Sequence, residues 1–177
     1  MTKAPPRALL ALVRGLDAIS IWSGKIVAWL IVPMVLSLVY EVVARYAFNA
    51  PTVWAYDMTF MLYGSFFMLG AAYTLQRGGH IRTDNFYGEW SKRRKGWTDA
   101  ACYLVLFFPA ILIFTVLSWD YFLRSLSQAE RIVTSPWMPP VYPFKGTMPL
   151  AGLLLLLQGA SEFLKSLWAG LHGEKLE

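Results

Sequence analysis

Cysteine and histidine are scarce in this chain, which has one cysteine and two histidines among 177 residues. With Cys102 alone, an intramolecular disulfide framework is excluded. His80 and His172 lie outside the apolar runs, so the sequence offers no paired histidines for a haem and no metal-ligand cluster. It also has no nucleophile motif, phosphate-binding loop or zinc-ligand spacing. We therefore expect no enzymatic activity and no cofactor or metal in this chain.

Charged residues are also few, at 15% of the chain, whereas 56% of the residues are hydrophobic. Average soluble domains carry about 25% charged residues. The apolar residues form four long runs, each close to the roughly 20 residues that a helix needs to cross about 30 Å of hydrocarbon. Because a backbone in lipid must satisfy its own hydrogen bonds, these runs predict helices rather than strands. The expected fold is an all-α integral membrane protein, a single membrane domain over residues 1–177 with four transmembrane helices at about 22–45, 52–75, 98–124 and 146–168.

The positive charges predict the orientation of the helices. The net charge is +5, but the basic residues flank the apolar runs, which indicates attraction to phospholipid headgroups and not to nucleic acid. If the N-terminus is inside, only Arg45, Arg124, Arg131 and Lys145 of the 16 Lys and Arg residues fall on outer segments. The positive-inside rule therefore places both termini and the middle loop in the cytoplasm.

The first 21 residues predict a helix along the inner membrane surface. Arg14 and Asp17 interrupt the apolar stretch too early for a secretion signal, so we expect the segment to be retained. On a helical wheel one face is apolar and the other is charged, the two sets being Leu9, Leu12, Val13, Leu16 and Ile19 against Arg7, Arg14 and Asp17. Such a pattern is typical of an amphipathic surface helix over residues 1–21. An extension of the first span is the alternative.

The middle loop, residues 76–98, predicts a second surface helix. Thr83 or Asp84 can cap it, and Phe86 and Trp90 cluster on one side ahead of the basic block 92–95. A solvated basic loop is the alternative. The side chains expected to anchor both surface helices are Leu9, Leu12, Leu16, Phe86 and Trp90.

The outer segment between the third and fourth spans is rich in proline and aromatic residues. Five prolines between Thr134 and Pro149 predict that this stretch is not regular helix. Trp137 and Tyr142 lie within it. Aromatic residues at this depth mark the membrane interface, and a proline-stiffened surface can also dock another protein.

Two acid–base pairs lie near the outer ends of the spans. Glu41 with Arg45 and Asp120 with Arg124 are each four residues apart, with the acid first, which predicts structural ion pairs on one helix face. Ionisable groups in a membrane are also candidates for a proton or ion route. Since these groups cluster at one end of the spans, we do not expect a transport pathway within this chain.

Six segments of the chain together carry a resemblance to a known family. They are Glu41–Asn49, Pro51–Trp54, Gly70–Tyr73, Arg77–Asp84, Ser135–Trp137 and Tyr142–Lys145. In these segments, and from about Trp22 to Leu167 overall, the sequence resembles the DctQ-type small membrane subunit of tripartite ATP-independent periplasmic (TRAP) transporters.

This resemblance implies a secondary transport system of three parts in the bacterial inner membrane. The partners would be a large elevator-type membrane subunit of the DctM type, which holds the sodium and substrate sites, and a periplasmic substrate-binding protein of the DctP type. The small subunit would pack on the scaffold of the large one and help to dock the binding protein during sodium-coupled import of an organic acid. Because the sequence ends soon after the fourth span, we expect the large subunit on a separate polypeptide.

The outer arginines and aromatics are the candidates for docking the binding protein. We expect Arg45, Arg124 and Arg131 to contact it, with Trp137 and Tyr142 fixing the loop. The alternative function is a self-contained small oligomeric transporter or channel. The transported substrate cannot be read from this chain, since recognition lies in the partner proteins.

Overall fold

The described part of the chain is built from α-helices. The computed structural model describes residues 5–79, 87–174 and 176. Its helices are α1 (Arg7–Ala28), α2 (Ile31–Ala47), α3 (Ala55–Gln76), α4 (Lys92–Cys102), α5 (Phe108–Ser127) and α6 (Tyr142–His172). A π-helix, Tyr103–Phe107, joins α4 to α5.

Four helical stretches are long and apolar enough to cross a membrane. They are Arg7–Ala47, Ala55–Gln76, Lys92–Ser127 and Tyr142–His172. The shortest has 22 residues, which at about 1.5 Å per residue measures roughly 33 Å and exceeds the hydrocarbon thickness of about 30 Å. The prediction of an all-helical protein with four membrane-spanning helices is confirmed for the described residues.

The first helical break lies further along the chain than the sequence suggested. We expected a boundary near residue 21, but α1 continues to Ala28, and α2 begins at Ile31. The physical reason is Pro33, which has no N–H to donate to the carbonyl of Trp29. At the break the chain makes tighter turns, with Leu30 N donating to Val27 O at 2.9 Å and Val32 N to Trp29 O at 3.2 Å.

The proline-rich approach to the fourth span is more helical than predicted. The expectation that residues 134–149 are not regular helix is wrong for the part after Val141, because α6 begins at Tyr142 and contains Pro149. Pro143 lies in the first turn, where no intrahelical N–H bond is required. Pro149 forfeits one backbone bond, and its fully buried side chain packs inside the protein. Membrane helices tolerate such interior prolines where packing compensates.

The chain divides into two compact units. The first unit combines described residues of the ranges 1–22, 72–113 and 152–177. In it α4 lies against the end of α6, since a Cβ on Gly96 would come within 2.3 Å of the backbone nitrogen of Gly170. A Cβ on Gly159 would similarly lie 2.2 Å from the ring of Phe107. Glycine at 96 and 159 therefore permits close approach of these helices.

The second unit consists of residues 23–71 and 114–151. Phe144 packs on α3, with its ring 2.5 Å from the position of a Cβ on Gly64 and its centroid 5.6 Å from that of Phe60. The ring of Phe122 lies 3.0 Å from where Gly146 would carry a Cβ. Aromatic rings thus fill the space that two glycines leave open in this unit.

Candidate functional site

A closed loop connects α5 to α6 in the second unit, and we call residues 128–141 the 128–141 loop. Its two arms pair through their backbones, with Ile132 N donating to Pro139 O at 3.1 Å and Val141 N donating to Glu130 O at 3.0 Å. An isolated antiparallel bridge joins Arg131 to Pro140. Pro139 and Pro140 therefore lie in one arm of a hairpin-like loop, and this arm is paired with the other through the backbone.

A buried hydrogen bond fixes the 128–141 loop to α3. The hydroxyl of Ser135 donates to a carboxylate oxygen of Asp57, in the first turn of α3. The same Ser135 oxygen accepts a hydrogen bond from the backbone nitrogen of Trp137 at 3.2 Å. Asp57 is 9% exposed and Ser135 7%. The chain thus uses Asp57 as a structural acceptor, a role that the sequence did not reveal because the partners are 78 residues apart.

An ion pair fixes the other side of the 128–141 loop. Lys145, on α6 and nearly fully buried, donates to Glu130 Oε2 and lies 3.8 Å from the ring centroid of Tyr121. The hydrogen bond from Lys145 holds the pKa of the Glu130 carboxyl below its usual value. Lys145 therefore contacts the loop and an aromatic ring within the protein. Its position on an outer segment beside an apolar run is also typical of a residue that contacts lipid headgroups.

The 128–141 loop exposes an apolar tip. Val133 is 80% exposed, and Met138 and Trp137 are also exposed. Arg131 stabilises this tip, since its Nη1 donates a hydrogen bond to the Met138 carbonyl at 3.1 Å. A tip held by side-chain bonds on both sides presents an ordered surface, as binding loops on rigid scaffolds do.

The other residues predicted for docking also lie in the second unit. Arg45 Nε lies 2.8 Å from Glu41 Oε1, and Glu41 accepts a further hydrogen bond from Thr52 N at 2.9 Å. Arg124 forms an ion pair of 2.7 Å with Asp120, and both side chains are largely exposed.

Tyr142 is the first residue of α6 and is half-buried. Each predicted arginine has a hydrogen-bonding or ion-pairing partner within the chain. None of these partners buries the Arg45 or Arg124 side chain, whose exposures are 55% and 73%.

A polar cluster joins α1 to α6 in the first unit. We call it the Asp17 cluster, and its members are Asp17, Gln158, Ser161, Glu162 and Lys165. Lys165 Nζ lies 3.0 Å from Asp17 Oδ1 and 2.9 Å from Glu162 Oε1. Ser161 Oγ and Gln158 Nε2 donate to the same Asp17 oxygen at 2.6 and 3.0 Å. Three side chains of α6 therefore donate hydrogen bonds to one carboxylate, that of Asp17.

The position of Asp17 corrects the helical-wheel prediction. Arg7 and Arg14 are exposed, but Asp17 lies on the packed side of α1, next to the buried Val13. The wheel placed Asp17 with the arginines because it sorts the residues of one helix by polarity and does not show a partner on another helix. The missing signal was on α6, where polar residues 158, 161, 162 and 165 follow helical spacing within an apolar run.

The residues predicted to anchor the chain at the membrane surface differ in their surroundings. Leu12 is exposed, whereas Leu9 and Leu16 are half-buried. Trp90 is half-buried, and the Arg94 guanidinium lies 4.1 Å from its ring centroid. Phe86, Thr83 and Asp84 lie outside the described residues, as does most of the predicted middle surface helix. Surface anchoring by these residues stays a prediction.

The described residues contain no group of three His, Cys, Asp or Glu side chains that could hold a metal ion. Four long apolar helical stretches define the class of this molecule, which is a multi-pass, helical membrane protein.

Comparison with protein families identifies the chain further. Residues 34–168 match the family described as tripartite ATP-independent periplasmic transporters, DctQ component. The chain therefore belongs to the DctQ family, the small membrane subunits of TRAP transporters, which work with a large membrane subunit and a substrate-binding protein. This is a family of transport subunits and not of enzymes. No curated protein and no solved structure matches the chain.

Proposed function

We propose that this chain packs on and stabilises the scaffold of a large, elevator-type membrane subunit of the DctM type. In the same complex it helps to dock a periplasmic binding protein of the DctP type during sodium-coupled import of an organic acid. It lies in the bacterial inner membrane with both termini in the cytoplasm, as the positive-inside distribution of Lys and Arg supports. The sodium sites belong to the large subunit, and this chain contributes no cofactor.

The apolar surface of α2 supports the scaffold role. Ser37 is the buried residue of α2, while Leu36 is 62% exposed and Val39 and Val43 are also exposed. Such a helix needs lipid or another membrane protein against most of its circumference. An elevator mechanism requires a part that stays in place. Displacing a broad body whose apolar surface is buried would expose that surface to water, at a cost of about 25 cal/mol per Å².

The single observation that carries the docking role is the apolar tip of the 128–141 loop. Two separate polar contacts, Asp57 with Ser135 and Lys145 with Glu130, hold the loop in place. A loop ordered in this way binds a partner at low entropic cost, because little conformational freedom is lost on association. The exposed Arg45 and Arg124 flank the membrane-spanning helices in the same unit and can steer a negatively charged partner surface.

Co-purification tests the scaffold role. A tagged copy would be expressed with the neighbouring large membrane protein and isolated in detergent. We expect a stable one-to-one complex, and uptake in proteoliposomes only when the large subunit and the binding protein are both present. A homo-oligomer that does not bind the large protein and conducts solute alone would overturn the proposal and favour a self-contained transporter.

Charge reversal tests the docking role. Arg124→Glu should weaken binding of the periplasmic protein to the reconstituted complex and reduce the salt dependence of the affinity, because rim charges mainly steer association. Val133→Asp should weaken binding through the loop tip. Arg7→Glu, an exposed arginine of the first unit, serves as the matched control. Equal effects of Arg124→Glu and Arg7→Glu on docking would remove Arg124 from the docking surface.

The surface anchors are tested separately. Replacing Leu12 and Trp90 with Ser should lower the yield of the membrane complex, because less apolar area is then buried in the interface. Unchanged complex stability and uptake would exclude these two residues from an anchoring role.

A further inference from the structure

The first unit contains two cavities that share the side chain of Asp99. The first, the basic cavity, has a volume of about 480 Å³ and is lined by Lys92, Lys95, Asp99, Glu162 and Lys165 among others. The second, the apolar groove, has a volume of about 560 Å³ and is lined by Asp99, Leu75, Cys102, Tyr103, Leu106 and Phe107 among others. A cavity lined in part by charged side chains thus adjoins an apolar groove within a single compact unit.

Three lysines and two carboxylates line the basic cavity. Lys165 is paired with Glu162 and with Asp17. Asp99 accepts a hydrogen bond from the hydroxyl of Tyr87. Among the described residues, Lys92 and Lys95 form no ion pair with a carboxylate. The cavity therefore favours an anionic group against these two lysines.

The basic block of α4 divides into two sets with different surroundings. Arg93 Nε donates to the Gly170 carbonyl at 3.1 Å, and Arg94 stacks on Trp90, so both serve contacts within the chain. Lys92 and Lys95 line the basic cavity, which Arg93 and Arg94 do not, although Lys95 Nζ also lies 5.1 Å from the ring centroid of Tyr87. Lys95 Nζ donates to the Gly88 carbonyl at 3.0 Å and keeps its charge at the cavity wall. A uniform electrostatic contact with headgroups would not require this division.

The two cavities follow one stripe of the helix. Residues 92, 95, 99 and 102 are separated by steps of three and four, so they share a face of α4, and Leu106 of the π-helix lines the same groove as Cys102. At about 1.5 Å per residue the stripe is roughly 20 Å long. One bilayer leaflet with its headgroup layer is also about 20 Å thick. The stripe is basic at one end and apolar at the other, which is the polarity of a lipid molecule.

We propose that the basic cavity and the apolar groove together bind one anionic phospholipid. Its phosphate lies against Lys92 and Lys95, and an acyl chain follows the groove along Cys102 and Leu106. This is a discrete site with one lipid per chain, distinct from the general attraction of basic loops to the membrane surface. It does not depend on the docking role of the 128–141 loop.

Lipid binding by the full chain tests this site. The purified chain would be delipidated in detergent and titrated with dioleoylphosphatidylglycerol, with retained lipid counted by native mass spectrometry. We expect one tightly bound molecule per chain. Lys92→Gln should weaken binding about fivefold, since a lysine near an anionic headgroup contributes about 1 kcal/mol and a tenfold change in affinity corresponds to about 1.4 kcal/mol; Lys92→Gln/Lys95→Gln should weaken it about 25-fold. Arg94→Gln removes the same charge from the same block and should leave the affinity nearly unchanged.

Two further measurements separate the lipid from a free anion. Cys102→Trp fills the apolar groove and should weaken binding of the long-chain lipid, with circular dichroism confirming that the variant folds. Inorganic phosphate at millimolar concentration should fail to displace the lipid. The proposal is overturned if Arg94→Gln and Lys92→Gln weaken binding equally, if Cys102→Trp has no effect, or if inorganic phosphate competes effectively.

Discussion

Replacing Lys165 with Met would measure how strongly the Asp17 cluster holds α1 on α6. The wild-type ammonium lies 2.9 Å from Glu162 and 2.8 Å from Asp17 Oδ2. Its removal leaves both carboxylates beside Gln158 without the cation that neutralises them. Breaking a fully buried pair costs about 3–5 kcal/mol, and an exposed pair contributes about 0–1 kcal/mol. Since Asp17 and Lys165 are 19% and 23% exposed, we expect a loss of about 2–3 kcal/mol.

The assay is reversible unfolding in mixed micelles of increasing SDS content, followed by far-ultraviolet circular dichroism. Arg124→Met is the matched control, because it removes a basic residue from an ion pair whose members are 73% and 59% exposed. It should cost less than about 1 kcal/mol. Hydrogen exchange supplies a second readout, since loss of the Asp17 cluster should speed exchange in α1 more than in α5.

A double substitution isolates the electrostatic contribution of Lys165. Asp17→Asn in the Lys165→Met background removes one of the two carboxylates left unneutralised. The double variant should therefore be more stable than Lys165→Met alone, with a coupling free energy of about 1 kcal/mol or more. If Lys165→Met destabilised the chain no more than Arg124→Met, or if the double variant showed no coupling, the cluster would not hold the two helices together.

Three other predictions concern close packing and the 128–141 loop. Gly96→Ala should destabilise the chain by about 1–3 kcal/mol through overpacking against α6, whereas Gly15→Ala, which has open space around it, should be neutral or stabilising in the same SDS titration. The ion pair of Glu130 lowers its folded-state pKa, so its stabilising contribution is present above the unfolded-state pKa of about 4.3 and is lost as pH falls through the folded-state pKa. The loop's tryptophan fluorescence should therefore change in acid, and a Glu130→Gln variant with the same acid transition would contradict this assignment. Ser135→Ala removes the hydrogen-bond donor that the described residues supply to the buried Asp57 and should cost about 1–3 kcal/mol. Proteolysis of the 128–141 loop as slow as in the wild type would exclude that contact as a determinant of loop order.

The membrane fold was predictable because its main determinants are local. Apolar run length alone located four helices, and acid–base spacing of four residues identified Glu41 with Arg45 and Asp120 with Arg124, which are bonded in the structure. These contacts arise within one helix, where the geometry follows from the sequence. The first break lies between Ala28 and Ile31, ahead of Pro33, whereas the sequence predicted a boundary near residue 21.

The polar contacts that shape the candidate sites were not predictable in the same way. Ser135 and Asp57 form a hydrogen bond although they are 78 residues apart in the sequence, and the sequence around one residue does not indicate the other. The lining of the basic cavity also depends on which face of α4 packs against α6. Gly96 lies at this contact, and its missing side chain permits the close approach of α4 to α6. A single sequence shows each of these residues but not the face that it presents to another helix.

The distance between Asp17 and Lys165 along the chain sets an order of events during biosynthesis. The two residues are 148 positions apart, and at about 5–20 residues per second a ribosome needs roughly 7–30 s to pass from one to the other. Throughout that interval α1 is already made, but the helix that supplies its hydrogen-bond donors is not. The hydrogen bonds between Asp17 and α6 can therefore form only after the last span has been synthesised, so they are among the last contacts that the chain can make.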